Sequence, residues 1–211
     1  RMFKKVLVIL GCITVSLTAN NLNKKIKILH IDSSIQEESS VSRQLSKSLV
    51  ERLSKLNPRS KVAYLDVVKT PIQQLTKSFF TLKPKNNDAL QAFMNADIVV
   101  IGVPMYNFMI SSQLKSWIDH ILVAGKTFKY TDSGSVGLVE GKKIYLVLTS
   151  GGAYSPGSGN EKLDFQEPYL KTVFQFIGIN DVEIIRAEGL AKDDSKANTI
   201  KLAKEEIDRI K

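Results

Sequence analysis

The run Ile98-Val99-Val100-Ile101-Gly102-Val103 decides the fold of this chain, and the turn Pro104-Met105-Tyr106-Asn107-Phe108 follows it directly. A short apolar run rich in β-branched residues is typical of a strand buried on both faces, as in parallel sheets covered by helices. Behind the turn, apolar residues repeat at the spacing of a half-buried helix, at Leu114, Trp117, Ile118, Ile121 and Leu122. The turn therefore joins the carboxyl end of a strand to a helix, at the edge of an open α/β sheet where ligands bind.

The same alternation of strand and helix patterns continues along the rest of the chain. Further strands are predicted over 25–31, 62–65, 143–149 and 182–187, and helices over 87–96, 165–177 and 192–211. Another helix is predicted around Leu45 and Leu53. Five strands alternating with helices predict an α/β fold, a doubly wound five-stranded parallel sheet with helices on both faces. One domain over residues 24–211 would contain all of these elements.

Residues 1–23 have the layout of a targeting segment. The basic stretch Arg1-Met2-Phe3-Lys4-Lys5 precedes an apolar run over 6–17, as in a signal peptide. This run is shorter than the roughly 20 residues that span a bilayer. The alternative is an N-terminal extension from a misplaced start. In either case we expect residues 1–23 to lie outside the fold, with membrane contact only if residues 1–19 are retained.

Charge and composition argue against several classes of function. The net charge of +9 is spread along the chain beside acidic residues, without the concentrated basic stripe of a nucleic-acid surface. His30 and His120 are far apart in sequence and have no ligand-spaced partner, so no metal site is expected. The chain also lacks the Gly-x-Gly-x-x-Gly, Walker A and Gly-x-Ser-x-Gly motifs. Ligand-binding loops without an evident nucleophile or metal suit a protein whose cofactor carries the chemistry.

Three loops at strand ends are candidates for binding that cofactor, and each also has a simpler structural explanation. The first, the serine loop, can cap a helix or bind a phosphate at the helix N-terminus; it contains Ser34, Ser40, Val41 and Ser42. Met105, Tyr106 and Phe108 form either a patch covered by other parts of the protein or a wall for a flat ligand. The third, the glycine loop Ser150-Gly151-Gly152-Ala153, permits close backbone approach to a ligand, although a tight turn uses glycines equally well.

The central turn and its surroundings resemble FMN-dependent NADH-azoreductases, which are also NADH:quinone oxidoreductases. The residues that carry the resemblance are Pro104-Met105-Tyr106-Asn107-Phe108-Met109-Ile110, Gln113-Leu114-Lys115, Asp119, Ala124-Gly125 and Thr127-Phe128-Lys129-Tyr130-Thr131. The similarity extends from about residue 25 to the C-terminus and includes the serine loop and Glu188-Gly189. Family members often carry Pro at the position of Ser111 and Arg at the position of Gly151. These departures leave the fold intact and bear on substrate preference and flavin tuning.

The resemblance implies a flavodoxin-like fold, FMN bound without covalent attachment, and a homodimer with two sites at its interface. The serine loop would bind the phosphate of FMN, and residues 104–108 would line its isoalloxazine ring. The glycine loop would approach the pyrimidine side of the ring with backbone groups. Phe128, Tyr130 and Tyr154 are candidates for stacking against flat substrates, with packing in the core as the alternative.

The implied reaction is a two-electron, ping-pong transfer of hydride from NADH through FMN to a quinone or an azo compound. No side chain would act as an acid or base, because the flavin carries the chemistry. The alternatives are a flavodoxin-type electron carrier and a tethered FMN-binding protein without turnover. Because FMN and NADH are cytoplasmic reagents, a cytoplasmic location is expected. The signal-like N-terminus indicates the alternative, export or membrane tethering.

Overall fold

The structure is a computed structural model that describes residues 25–77, 79 and 87–211. These residues form seven strands: β1 (Lys27–Asp32), β2 (Lys61–Asp66), β3 (Ile98–Pro104), β4 (Phe128–Thr131), β5 (Gly134–Gly137), β6 (Lys143–Thr149) and β7 (Val182–Ala187). The α-helices among them are α1 (Val41–Leu56), α2 (Asp88–Asn95), α3 (Ser112–Ile121), α4 (Gln166–Phe176) and α5 (Asp193–Arg209). The expectations for residues 1–23 lie outside the described part of the chain.

Five strands form one parallel sheet in the order β2-β1-β3-β6-β7, which confirms the predicted doubly wound architecture. The strand order reverses at β1, because the chain moves outward to β2 and then returns to the other side of β1. In such sheets, ligands bind outside the carboxyl ends of the strands at this reversal. The loops after β1 and β3 therefore flank the expected ligand position.

Helices cover both faces of the sheet, and the side chains of β3 alternate between the two layers. Val99 and Ile101 belong to a core cluster with buried side chains of α2, α3 and α4, such as Trp117. Val100 belongs to the opposite cluster, with Leu49 of α1 and buried residues of α5. This alternation is the period of two expected for a strand buried on both faces. Among the helices described, none combines the length and the apolar character needed to cross a bilayer.

Two local features differ from the sequence-based expectation. The predicted strand ends at Val103, whereas β3 continues through Pro104, which pairs with Thr149 of β6. The backbone nitrogen of Met105 donates a hydrogen bond to the carbonyl oxygen of Thr149 at 2.8 Å. Pro104 has no N–H to donate, and the pairing of β3 with β6 at this point uses the N–H of Met105 instead. In addition, the segment that carries Phe128 forms the antiparallel hairpin of β4 and β5, which sequence patterning does not indicate.

Candidate functional site

A cavity of about 280 Å³ lies at the carboxyl edge of the sheet, where the loops after β1, β3 and β6 meet. Eight of the residues predicted from the sequence line it: Ser34, Ser40, Val41, Pro104, Met105, Tyr106, Ser150 and Gly151. Asn107 lines a neighbouring cavity of about 570 Å³, which shares Tyr106 with the first. The other predicted loop residues, Ser42, Phe108, Gly152 and Ala153, belong to the same three loops without lining the first cavity. The fold therefore brings the three candidate loops to one place.

The serine loop ends at the N-terminus of α1. Ser40 is the N-cap residue, and its Oγ accepts a hydrogen bond from the backbone nitrogen of Arg43 at 3.3 Å. Ser42 is buried, with its Oγ 3.1 Å from that of Ser40. Capping therefore accounts for Ser40 but does not require Ser34, which lines the same cavity. The dipole of the 16-residue helix favours an anion at this end, beside Ser40 and Val41.

The turn after β3 places two consecutive non-glycine residues in the left-handed region. The φ angle is 48° at Asn107 and 68° at Phe108. Asparagine tolerates this region, whereas for phenylalanine it is uncommon, and such conformations cost on the order of 1–3 kcal/mol. Two hydrogen bonds close the turn, from Tyr106 N to Met109 O at 2.8 Å and from Met109 N to Tyr106 O at 3.0 Å. Strain held in this way is typical of ligand-binding turns.

Ser111 anchors this turn to the helix behind it. Its Oγ accepts a hydrogen bond from the backbone nitrogen of Leu114 at 3.2 Å, which makes Ser111 the N-cap of α3. The helix then buries Leu114 and Trp117 completely. The side chain of Ser111 therefore stabilises the N-terminus of α3, and this buried helix holds the preceding turn in place.

The glycine loop is fixed by backbone hydrogen bonds to the loop after β7. Leu190 N donates to Ser150 O and Ala191 N donates to Gly151 O, both at 3.1 Å. A Cβ at Gly151 would lie 3.3 Å from the Cβ of Ala191. Because the two loops approach so closely, a small residue is favoured at position 151 in this chain.

Glu188 holds the segment that follows the glycine loop. Its carboxylate accepts hydrogen bonds from the backbone nitrogens of Tyr154 at 3.0 Å and Ser155 at 3.2 Å, and from Arg186 Nη1 at 3.0 Å. Burial by itself would raise the pKa of Glu188. The hydrogen bonds from Ser155 and Tyr154 and the charge of Arg186 outweigh burial, so the pKa lies below its ordinary value. The ionised form of Glu188 therefore fixes the position of Tyr154.

The three aromatic residues predicted to stack on substrates lie in different environments. Phe128 is 8% exposed and packs in the core with its ring centroid 4.7 Å from that of Phe176, so the core-packing alternative describes it. The reason is that the hairpin of β4 and β5 turns this side chain inward onto α4. Tyr130 is 75% exposed, beyond Phe128 on the same face of the hairpin, and does not line the cavity. Tyr154 directly follows the glycine loop without lining the cavity, and its ring lies 6.1 Å from that of Phe108 in a T-shaped pair.

Sequence reasoning missed several residues of the cavity. They are Gln36, Ser39, Thr149, Leu190, Ala191 and Lys196. Leu190 and Ala191 follow β7 at the same edge of the sheet. The rule that ligands bind at the carboxyl ends of parallel strands could therefore have indicated these two residues. Lys196 lies in the first turns of α5, and among the described residues that line the cavity it alone is charged.

A buried polar network lies beneath the serine loop, and sequence reasoning missed it as well. Asp32 is 4% exposed and accepts hydrogen bonds from Ser46 Oγ at 2.9 Å and Tyr64 Oη at 3.0 Å. The Nε2 of His30 lies 2.9 Å from Ser46 Oγ. A Cβ at Gly102 would lie 2.9 Å from Asp32 Oδ1, so glycine leaves room for the network. Within the described residues, no three His, Cys, Asp or Glu side chains are grouped so that they could hold a metal ion.

Comparisons with known proteins agree with this geometry. A family model described as a flavodoxin-like fold matches residues 26–210. An FMN-dependent NADH:quinone oxidoreductase of Methylocella silvestris is 44% identical over 200 residues, which covers 87% of this chain and 98% of the relative. A protein of the same description from Delftia acidovorans is 46% identical over 198 residues, with 87% and 93% covered.

The solved structures that this chain resembles include two azoreductases. An azoreductase from Bacillus anthracis has a TM-score of 0.79 at 28% identity, and the match covers 87% of this chain and 97% of that one. A structure of an FMN-dependent NADH-azoreductase from Bacillus anthracis in complex with FMN has a TM-score of 0.77 at 28% identity, with 87% and 98% covered.

Proposed function

The chain belongs to the flavodoxin-like family of FMN-dependent NADH:quinone oxidoreductases, and we propose that it binds FMN in the cavity where the serine, turn and glycine loops meet. Its reaction is the FMN-dependent transfer of two electrons from NADH to a quinone or an azo compound. The observation that supports this site is that eight residues from three separate loops, each chosen from the sequence, line one cavity.

The residues present fit the chemical groups of FMN. Ser34 and Ser40 offer hydroxyls, and α1 adds the positive end of its dipole, at the end of the cavity that would take the phosphate. Val41 also lines this end, and the buried Ser42 would support it through the contact of its Oγ with that of Ser40 at 3.1 Å. Pro104, Met105 and Tyr106 supply a mostly apolar wall for the ring, and Ser150 and Gly151 of the glycine loop line the same cavity. This combination of a polar end and an apolar wall is typical of cofactor clefts.

The protein orients the reactants, and FMN, when bound, supplies the capacity to accept a hydride and pass it on. The fixed backbone at Asn107 and Phe108 would hold the ring edge, and Gly152 and Ala153 would approach its pyrimidine side. Backbone donors near Asn107 and Gly152 would stabilise negative charge that develops on the ring, since fixed dipoles in a dry site need no reorganisation. Phe108 and Tyr154 would form the surface against which NADH and then the quinone lie in turn.

A homodimer is part of this proposal. Phe108 is 42% exposed and Tyr130 is 75% exposed, although both are large apolar or aromatic residues that a partner subunit would cover. Under this proposal, Tyr130 would reach a substrate across the interface rather than within its own subunit. The mass of the native protein by light scattering tests the dimer, and a monomer at micromolar concentration would contradict it.

We also propose a place for the N-terminal segment outside the domain and a cellular location for the protein. Residues 24–211 would form the FMN-binding domain, and residues 1–23 would lie outside it. The need for NADH favours a cytoplasmic location. Mass spectrometry of the native protein tests whether residues 1–23 are removed.

Steady-state NADH oxidation tests the function against its rivals. In oxygen-free buffer, we expect the purified protein to oxidise NADH when FMN and benzoquinone are both present, and to stop when either is omitted. A flavodoxin-type carrier or a binding protein without turnover would bind FMN and yet show no such rate.

A further inference from the structure

The side chain of Arg43 contacts the serine loop at Ser34, and Arg43 is not among the residues that line the cavity. Its Nη2 donates to the carbonyl oxygen of Ser34 at 2.7 Å. We propose that Arg43 is a positioning residue for the phosphate of FMN, because it fixes the orientation of the loop that carries Ser34 and Ser40. This inference rests on the proposed function of the cavity.

The contact with Ser34 determines where the next backbone N–H points. The peptide bond between Ser34 and Ile35 is trans, so its C=O and N–H point in opposite directions. The carbonyl of Ser34 points to Arg43, and the N–H of Ile35 accordingly points to the other side, where it donates to Tyr106 Oη at 3.0 Å. Tyr106 lines the cavity. Arg43 therefore orients a peptide plane that joins the serine loop to the turn after β3.

Arg43 also holds the second half of the serine loop. Its backbone nitrogen donates to Ser40 Oγ at 3.3 Å, the capping contact at the start of α1. One residue thus contacts both Ser34, through its side chain, and Ser40, through its main chain. Arg43 thus connects the two serines, and its backbone is held in the first turn of α1.

The guanidinium is itself fixed by charged partners, which separates positioning from direct binding of the phosphate. Nη1 donates to Asp66 Oδ2 at 2.6 Å and lies 3.6 Å from Asp32 Oδ2. The other oxygen of Asp66 accepts hydrogen bonds from the backbone nitrogens of Val68 and Lys69, both at 3.0 Å. Since two carboxylates already face this one guanidinium, its charge is compensated within the protein, and its effect on a phosphate acts through the loop.

The contact between Arg43 and Asp66 shifts the pKa of both groups. The hydrogen bond to Asp66 raises the pKa of Arg43 against the effect of burial. Burial would raise the pKa of Asp66, but the hydrogen bonds from Arg43 and the two backbone nitrogens hold it below its ordinary value. The contact is therefore a stable ion pair over the pH range in which the enzyme would be studied.

The experiment compares FMN with riboflavin, which has the same ring and no phosphate. The full-length apoprotein is titrated with each flavin, and binding is followed by quenching of flavin fluorescence. In Arg43→Met we expect the affinity for FMN to fall about ten-fold or more, as for the loss of a charge-assisted hydrogen bond, and the affinity for riboflavin to change less than about three-fold. Arg43→Lys keeps the charge without the fork of donors, so we expect an intermediate loss for FMN.

Arg52 provides a matched control on the same helix. Its Nε and Nη2 donate to the carbonyl of Ile210 at 3.0 and 2.7 Å, so Arg52→Met also removes a guanidinium from a backbone carbonyl. We expect this variant to bind both flavins like the wild type. If Arg43→Met does not fold, Asp66→Asn gives the same comparison, because it weakens the anchor of Arg43 with little change of shape. The expected result is again a selective loss for FMN.

The outcomes separate the inference from the proposed function. Equal losses for FMN and riboflavin, or no loss for either, would overturn the positioning role of Arg43 while FMN binding by the wild type stands. Failure of the wild type to bind FMN would overturn the proposed function and this inference with it.

Discussion

The backbone N–H of Ile35 donates to the hydroxyl of Tyr106 over 3.0 Å, and this contact joins the loop after β1 to the turn after β3. The same hydroxyl lies 3.3 Å from Ser34 Oγ. These two loops flank the reversal in strand order, so Tyr106 links the end of the cavity assigned to the phosphate with the wall assigned to the ring. The two ends of the site are thus one connected structure.

Removal of that hydroxyl tests the link. In Tyr106→Phe, we expect FMN affinity to fall about three- to ten-fold, because Ile35 N–H and Ser34 Oγ lose a partner worth about 1 kcal/mol. Titration of the apoprotein with FMN, followed by flavin fluorescence, measures this affinity. Tyr130→Phe is the control, since its hydroxyl is on the exposed hairpin. Equal affinities for wild type and Tyr106→Phe would show that the contact has no part in cofactor binding.

The left-handed conformation of Asn107 gives a second prediction. Asn107→Gly adopts a φ of 48° without strain, so we expect FMN binding within about three-fold of the wild type if the backbone at this position makes the contact. Asn107→Val cannot adopt it readily, and we expect a loss of roughly 2 kcal/mol in unfolding free energy together with weaker FMN binding. Chemical denaturation and flavin titration measure both quantities. Tight FMN binding by the valine variant would contradict a fixed backbone contact.

The pair of Phe108 and Tyr154 predicts an effect on the substrate rather than on the cofactor. In Tyr154→Ala, we expect the KM for benzoquinone to rise about three- to ten-fold, because an aromatic contact worth about 0.5–1.5 kcal/mol is lost. FMN affinity should stay within about two-fold, since the backbone contact to Glu188 remains. A rise in the dissociation constant of FMN with an unchanged KM would assign Tyr154 to the cofactor instead.

Phe128 packs in the core, so we expect its replacement to affect stability rather than substrate binding. Phe128→Ala should lower the free energy of unfolding by about 3–5 kcal/mol. The folded fraction should keep the KM of the wild type for benzoquinone. A stable variant with a raised KM would show that Phe128 contacts the substrate after all.

The carboxylate of Glu188 gives a dependence of stability on pH. Its folded pKa lies below the ordinary value, so its contribution to stability is fully present above the unfolded pKa and is lost as pH falls through the folded pKa. In Glu188→Gln, we expect the Tm to be lower by roughly 5 °C at pH 7, and the difference from the wild type to shrink at acid pH. A difference that is constant from pH 7 to pH 3 would contradict this assignment.

Glu206→Gln is the control for that measurement. Burial raises the pKa of Glu206, so its ionised form is disfavoured in the folded state. We therefore expect no loss of Tm at pH 7 when this carboxyl is neutralised. At pH 7, Glu188→Gln should therefore lower the Tm relative to the wild type, whereas Glu206→Gln should not lower it.

The part of the site that could be predicted from sequence is the part that depends on local patterns. The β-branched run of β3 and the loops at strand ends required only periodicity and the binding rule for parallel sheets. The central turn was specific enough to indicate the family and its cofactor. Each of these signals is contained within one short stretch of the chain, so no long-range contact has to be known to recognise it.

The rest depends on which distant segments pack together. Arg43 meets Asp66 only because β1 pairs with β2, and no pattern near Arg43 indicates that partner. Lys196 reaches the cavity because α5 lies beside α1 on one face of the sheet. Phe128 was equally consistent with a substrate contact and a core position, and the packing of the hairpin on α4 decided between them.

Anaerobic titration of the FMN-loaded protein with NADH tests the central claim most directly. We expect one equivalent of NADH per bound FMN to remove the yellow colour, and one equivalent of benzoquinone to restore it with the cofactor still bound. A protein that does not take up FMN, or that holds FMN which NADH does not reduce, would contradict the account.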